Sequence, residues 1–197
     1  MSLEGLDYIL NKREVVPTVS ARDLLERPDQ VESDYLAHVR TYVPISRSAG
    51  DDQSSVERFE QKVIRRIQNA GAPRGYLTGE YGYGKTSTAL YLWQRAEAAG
   101  LLAVPPFQMT ELSQLVDALH GWARYRLAAR GGELLPELDA LYQRATARSV
   151  ESYVAEGGGD VAAYRRWVQE GRLSLRLREA DFLSYFEGVT QLAERAG

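Results

Sequence analysis

The residues with the clearest chemistry form a short glycine-rich segment that matches the pattern G-x-x-x-x-G-K-[ST] at every position. We call this segment the glycine loop, and it reads Gly79-Glu80-Tyr81-Gly82-Tyr83-Gly84-Lys85-Thr86. In such a segment, glycines let backbone N–H groups close around phosphate groups. The lysine reaches the terminal phosphates of a nucleotide, and the threonine hydroxyl binds magnesium. The pattern therefore predicts a site for a nucleotide with Mg²⁺.

Two side chains of the glycine loop carry the predicted chemistry. Lys85 is the predicted catalytic residue, since a lysine at a helix start opposes the helix dipole unless bound phosphates supply negative charge. Thr86 is the predicted magnesium ligand, and the alternative for it is an ordinary capping hydroxyl. The residues predicted to contact ATP are Gly79, Glu80, Tyr81, Gly82, Tyr83, Gly84, Lys85, Thr86 and Ser87.

The elements around the loop should position it. The sequence predicts a buried strand at residues 75–78, and a helix that leaves the loop and ends near Ala99, before Gly100. Residues 101–104 are apolar and predict a second strand, which Pro105 and Pro106 cut short. These elements indicate an α/β fold in which helices flank a short parallel sheet. Beyond residue 132 the apolar spacing is helical throughout, so the C-terminal half should be mostly helical.

The segment from Gly75 to Leu92 resembles P-loop ATPases of the broad AAA+ and STAND-like branch. The wider stretch, GYLTGEYGYGKTSTALYLW followed by LLAVPPFQM and then ELSQLVDALHGWARYRL, is similar to ATPases of bacterial phage-defence systems of the bacteriophage-exclusion type. The resemblance implies ATP and Mg²⁺ as cofactors. It also implies an ATP-hydrolysing machine with other subunits or domains as partners, through which nucleic acid could be reached.

The chain departs from that family at one motif. ATPases of this branch carry an apolar strand ending in Asp-Glu, whose acids order the magnesium shell and polarise the attacking water. Residues 101–104 run into Pro105 instead of an acid, and Glu80 is poorly placed to act as a base. We therefore expect the N-terminal part of a longer ATPase with an incomplete core. Its expected divisions are an arm with short helices at 1–53, the first part of the core at 54–130, and a helical extension at 131–197.

The composition of the chain narrows the classes of function that remain possible. The 197 residues carry a formal charge of −3 and no cysteine, which argues against a strongly basic nucleic-acid binder and excludes disulfides and thiolate metal sites. His38 and His120 lie far apart without carboxylates at ligand spacing, so no metal beyond the magnesium is expected. No apolar run is long enough to span a membrane, and the start lacks a secretory leader. The expected location is the cytoplasm.

Two other functions are compatible with the glycine loop. One is a small kinase that transfers the γ-phosphate to a metabolite, although it needs an acid-bearing strand that is missing here. The other is a nucleotide-sensing interaction module that binds ATP and changes its affinity for a partner without turnover. A basic face for nucleic acid is also conceivable, but acidic residues are interleaved with it, so a solvated helix surface is favoured. Its residues are Arg165, Arg166, Arg172, Arg176 and Arg178.

Overall fold

The computed structural model describes residues 16, 18–39, 55–69, 84–111, 113–170 and 175–196, and most of them are helical. The described helices are α1 (Ala21–Glu26), α2 (Pro28–Val39), α3 (Ser55–Gln68), α4 (Lys85–Ala98), α5 (Gln114–Ala129), α6 (Leu135–Ala155), α7 (Val161–Gln169) and α8 (Glu179–Ala196). None of these eight helices is long and apolar enough to cross a membrane. The predicted divisions at residues 53 and 130 stay predictions.

The predicted α/β fold is wrong. The described residues contain no strand, and an isolated parallel bridge between Ser20 and Gln108 is the β-type pairing among them. The first predicted strand, at 75–78, lies outside the described residues. The second, at 101–104, is described, and it is an irregular segment that joins no sheet. The described part of the chain is all-helical.

Side chains of α4 explain why residues 101–104 need no neighbouring strand. The indole Nε1 of Trp93 donates a hydrogen bond to the carbonyl of Ala103 at 3.0 Å. The backbone N–H of Ala103 donates to the carboxylate of Glu97 at 3.2 Å. The backbone groups of Ala103 are thus satisfied by the preceding helix, and Pro105 and Pro106 offer no donor to extend a ladder.

Helix α5 lies between two apolar cores and contributes to both. Ala118 and Trp122 of α5 belong to the first core, in which Trp122 packs edge-on against Trp93 with ring centroids 5.8 Å apart. The opposite side of α5 forms the second core with α6 and α8, through Val116, Leu119, Ala123, Leu127, Leu138, Ala145, Tyr185, Val189 and Leu192. Since residues three or four apart share a helix face, this spacing accounts for the second core.

Local signals in the sequence account for several helix ends. Ser20 caps α1 through a reciprocal capping box with Asp23. Asp160 caps α7 by accepting a hydrogen bond from the N–H of Ala163 at 2.8 Å. The predicted end of α4 before Gly100 is confirmed, and Gly100 has a left-handed backbone with φ +80°. The C-terminal half is helical as predicted, because α6, α7 and α8 cover most of its described residues.

Candidate functional site

The candidate site lies at the N-terminal end of α4, where the glycine loop meets the helix. Gly84 has left-handed backbone angles, φ 75° and ψ 21°, and the helix begins at the next residue, Lys85. Only glycine adopts such a φ without steric cost. The N-cap residue, Gly84, has no side chain that could cap this end, and the first turn contains no acidic residue. A helix N-terminus of this kind presents backbone N–H groups and a partial positive charge, which favour an anion.

The described structure contains four of the predicted contact residues. Gly84, Lys85, Thr86 and Ser87 follow one another through the start of α4, and Thr86 is the exposed member. The other predicted contacts, Gly79, Glu80, Tyr81, Gly82 and Tyr83, lie outside the described residues. The described geometry is therefore that of the last third of the glycine loop and the first helical turn.

His38 is a residue near the site that the sequence analysis did not assign to it. Its Nε2 lies 3.0 Å from the hydroxyl oxygen of Ser87, which links the last turn of α2 to the first turn of α4. The two residues are 49 positions apart, so no local pattern could have paired them. A ligand at the start of α4 that engages Ser87 would therefore also affect the contact with α2.

Buried contacts hold α4 in place behind the site. Leu90 is fully buried and Trp93 is 5% exposed, so the first core fixes the middle of the helix. On the neighbouring side, Glu60 of α3 is 7% exposed and accepts hydrogen bonds from Tyr91 at 3.3 Å and from Arg95 at 2.8 Å. The first turn of α4 therefore projects from a helix whose axis is set by packing on two sides.

The donor set at this end fits a phosphate group. Lys85 supplies a positive charge, backbone N–H groups supply donors, and no carboxylate in the first turn competes for them. For magnesium, the hydroxyl of Thr86 would supply one oxygen ligand, and phosphate oxygens and water would complete the coordination shell. Within the described residues, no group of three or more His, Cys, Asp or Glu is placed to hold a metal ion. Thr86 as a magnesium ligand stays a prediction.

A second cluster of ionisable groups lies between α5, α6 and α8, and its members His120 and Tyr185 are buried. The ring of His120 stacks on Tyr142 with centroids 4.0 Å apart, and its Nε2 lies 3.6 Å from a carboxylate oxygen of Asp139. The hydroxyl of Tyr142 donates to Asp117 at 2.7 Å. The His120 Nδ1 and the Tyr185 hydroxyl are buried, and neither has a hydrogen-bond partner.

Burial dominates the ionisation of this cluster. Burial lowers the pKa of His120 to about 4. The attraction of Asp139 opposes this shift, and the repulsion of Arg124 adds to it. Burial also raises the pKa of Asp117, an effect that the hydrogen bond from Tyr142 opposes. The pKa of Tyr185 is raised, again mainly by burial. Each of these pKa shifts favours the neutral form of the side chain. The cluster is therefore part of the protein interior, and the ionisation of its groups affects stability.

Comparisons with protein-family models, with curated proteins and with solved structures find no match for this chain. The resemblance to P-loop ATPases of the AAA+ and STAND-like branch is wrong, because such a fold is built on a parallel sheet and the described residues contain no strand. The more specific assignment to phage-defence ATPases has no support from any match. The glycine loop itself, apart from that fold, is untested.

Proposed function

We propose that this chain is a binding module for the triphosphate of a nucleotide, with ATP and Mg²⁺ as the expected ligands. The glycine loop and Ser87 form the site, and Lys85 contacts the terminal phosphates. The observation that supports the proposal is the left-handed Gly84, which serves as the N-cap of a helix that begins with Lys85. Glycine at that backbone conformation and N–H groups at the helix start are what a bound phosphate requires.

The module is proposed to bind the nucleotide without hydrolysing it. Hydrolysis needs a carboxylate that orders the magnesium shell and a group that polarises the attacking water. The first turn of α4 has no acidic residue, and its hydroxyl-bearing Ser87 is engaged with His38. Binding at this end would instead act on the contact between α2 and α4, which gives a nucleotide-dependent change in the surface offered to a partner.

The proposal is tested by calorimetric titration of the 197-residue chain with Mg-ATP. Lys85→Ala should weaken binding by about 10- to 100-fold, since a hydrogen bond to a charged group contributes about 1.5–3 kcal/mol. Arg130→Ala is the matched control, because it also removes a cation but lies at the end of α5. Its affinity for Mg-ATP should equal that of the wild type.

Phosphate release, measured on the same samples, separates binding from turnover. We expect binding with no release of inorganic phosphate above the rate without protein. Absence of Mg-ATP binding at millimolar concentration, or equal affinity for the wild type and Lys85→Ala, would contradict the proposed site. Release that depends on Lys85 would keep the site and contradict the absence of turnover.

A further inference from the structure

Helix α3 carries a row of cations along one face. They are Arg58, Lys62, Arg65 and Arg66, and all of them are exposed. The spacing of four, seven and eight residues from Arg58 places the row on one side of the helix, over about 12 Å of its length. The helix dipole favours cations in the last turn, which accounts for Arg65 and Arg66 but not for the two that precede them.

The buried acid of α3 points elsewhere. Glu60 is 7% exposed and receives hydrogen bonds from Tyr91 and Arg95 of α4. That carboxylate is therefore committed to the packing of α3 against α4. The helix has one side that uses its acid to hold a neighbour, and another side that presents cations to solvent.

The cationic side borders a cavity. Its four cations, together with Gln61 and Asn69, line a cavity of about 580 Å³. Gln61 and Asn69 add neutral hydrogen-bonding groups to the positive side chains. A groove lined with arginine, lysine and amide side chains matches the negative charge and the acceptor oxygens of phosphate groups, and arginine can contact such oxygens in pairs.

We propose that this face of α3 binds the phosphodiester backbone of a nucleic-acid strand. Several cations in a row suit a ligand that carries repeated single negative charges. A membrane surface is disfavoured, because an interfacial helix exposes a broad apolar face beside its cations. On α3, Val63 and Ile64 are half-buried, and Ile67 is 38% exposed.

The expected binding is electrostatic and independent of base sequence. Contacts to phosphates position a strand but carry no direct sequence information. The formal charge of the whole chain is −3, so the attraction must come from the local row of cations. With three phosphate contacts on a single strand, from Lys62, Arg65 and Arg66, affinity should fall roughly 20-fold between 50 and 200 mM salt.

Fluorescence anisotropy with a labelled 20-nucleotide single strand of mixed sequence tests this proposal, without ATP present. The triple variant Lys62→Gln, Arg65→Gln, Arg66→Gln should lose most of the binding at 50 mM salt. The remaining salt dependence should be no more than about threefold over the same range, which is the value for a single contact. Its helical circular dichroism should equal that of the wild type, because the three side chains are exposed.

The matched control removes three exposed cations from the C-terminal half instead. Arg165→Gln, Arg166→Gln, Arg178→Gln changes the net charge by the same amount and should bind like the wild type. If the α3 variant loses helical signal, the single variant Arg66→Gln provides the test, with a smaller salt slope than the wild type expected. Lys85→Ala should bind the strand normally, which keeps this result separate from the nucleotide site.

Three outcomes would overturn the proposal. They are salt-independent or absent binding by the wild type, equal losses in the two triple variants, and tighter binding to vesicles with anionic lipid than to the strand. The last outcome would assign the row of cations to a membrane surface.

Discussion

At the scale of single residues, His120 combines two properties that normally exclude each other. It is a polar side chain only 5% exposed, and its Nδ1 has no hydrogen-bond partner. The groups that face it are Asp139 and Tyr142 of α6 and Arg124 of its own helix. Asp139 favours the charged imidazole, but burial outweighs that attraction. The ring is therefore neutral in the folded chain and contributes a pH-dependent stability.

The sign of that dependence follows from the pKa of His120, which is about 4 when folded and 6.5 ordinarily. Between these values the unfolded chain binds more protons, so the free energy of unfolding falls as the pH falls from 6.5 towards 4. The full loss is about 3 kcal/mol. We expect His120→Phe, which keeps an aromatic ring against Tyr142, to flatten this slope in urea unfolding between pH 7.5 and 5.

His38→Gln is the control for that measurement, because it removes the other histidine of the chain and leaves the buried ring of His120 in place. The raised pKa of Asp117 acts with the opposite sign. Its stabilising proton is present at low pH and is lost as the pH rises through that pKa, so both variants should share its effect. An unchanged slope in His120→Phe would show that other groups cause the acid sensitivity.

At the scale of elements, local signals in the sequence account well for helix ends, whereas the strand predicted from the apolar run at 101–104 is wrong. Capping by Ser20 and Asp160 needs only neighbours within three residues, so the pattern contains the cause. An apolar run of four residues is compatible with a strand or with a buried irregular segment. Contacts from Trp93 and Glu97 decided between them, and they depend on how α4 packs.

The candidate site likewise has features that follow from the local sequence and features that depend on packing. The order from Gly84 to Ser87 and the left-handed glycine follow from the glycine pattern, whereas the contact of His38 with Ser87 depends on the packing of α2. The row of cations on α3 is visible in the sequence from their spacing of three and four residues. The all-helical character was not readable, because two short apolar runs near a glycine loop favour strands.

The crossing of α1 over α5 gives a prediction for a single glycine. A Cβ atom at Gly121 would lie 2.3 Å from the carbonyl oxygen of Leu24 and 2.4 Å from the Cα of Leu25. Both are backbone atoms, so α1 would have to move away from α5. We expect Gly121→Ala to lower the free energy of unfolding by about 1–3 kcal/mol or more, as measured by urea unfolding.

Gly188→Ala is the matched control, since it makes the same change inside another helix, α8. A Cβ there would meet Cδ2 of Leu141 at 2.6 Å, which is the flexible end of a side chain. Its cost should be smaller, because Leu141 can change rotamer and alanine favours the helix by about 1 kcal/mol. A Gly121→Ala chain as stable as Gly188→Ala would contradict the close approach of α1 and α5.

At the scale of the whole molecule, residues 101–104 join the two cores. Leu102 and Val104 pack against the first core, which contains Trp93 and Trp122, and also against the second core between α5, α6 and α8. Helix α5 contributes buried residues to both cores as well. Two cores that share a helix and a connecting segment should lose their packing together, as one cooperative unit.

Leu102→Ala tests that coupling by amide hydrogen exchange in α2 and α8, which contribute to different cores. A truncated, partly buried leucine should cost about 1–2 kcal/mol, which accelerates global opening roughly 5- to 30-fold. We expect the slowest amides of both helices to accelerate by the same factor. Leu183→Ala, at a side chain 52% exposed on α8, should leave both rates nearly unchanged. Faster exchange in one helix alone would mean that the cores unfold separately, and that residues 101–104 contact both cores without coupling them.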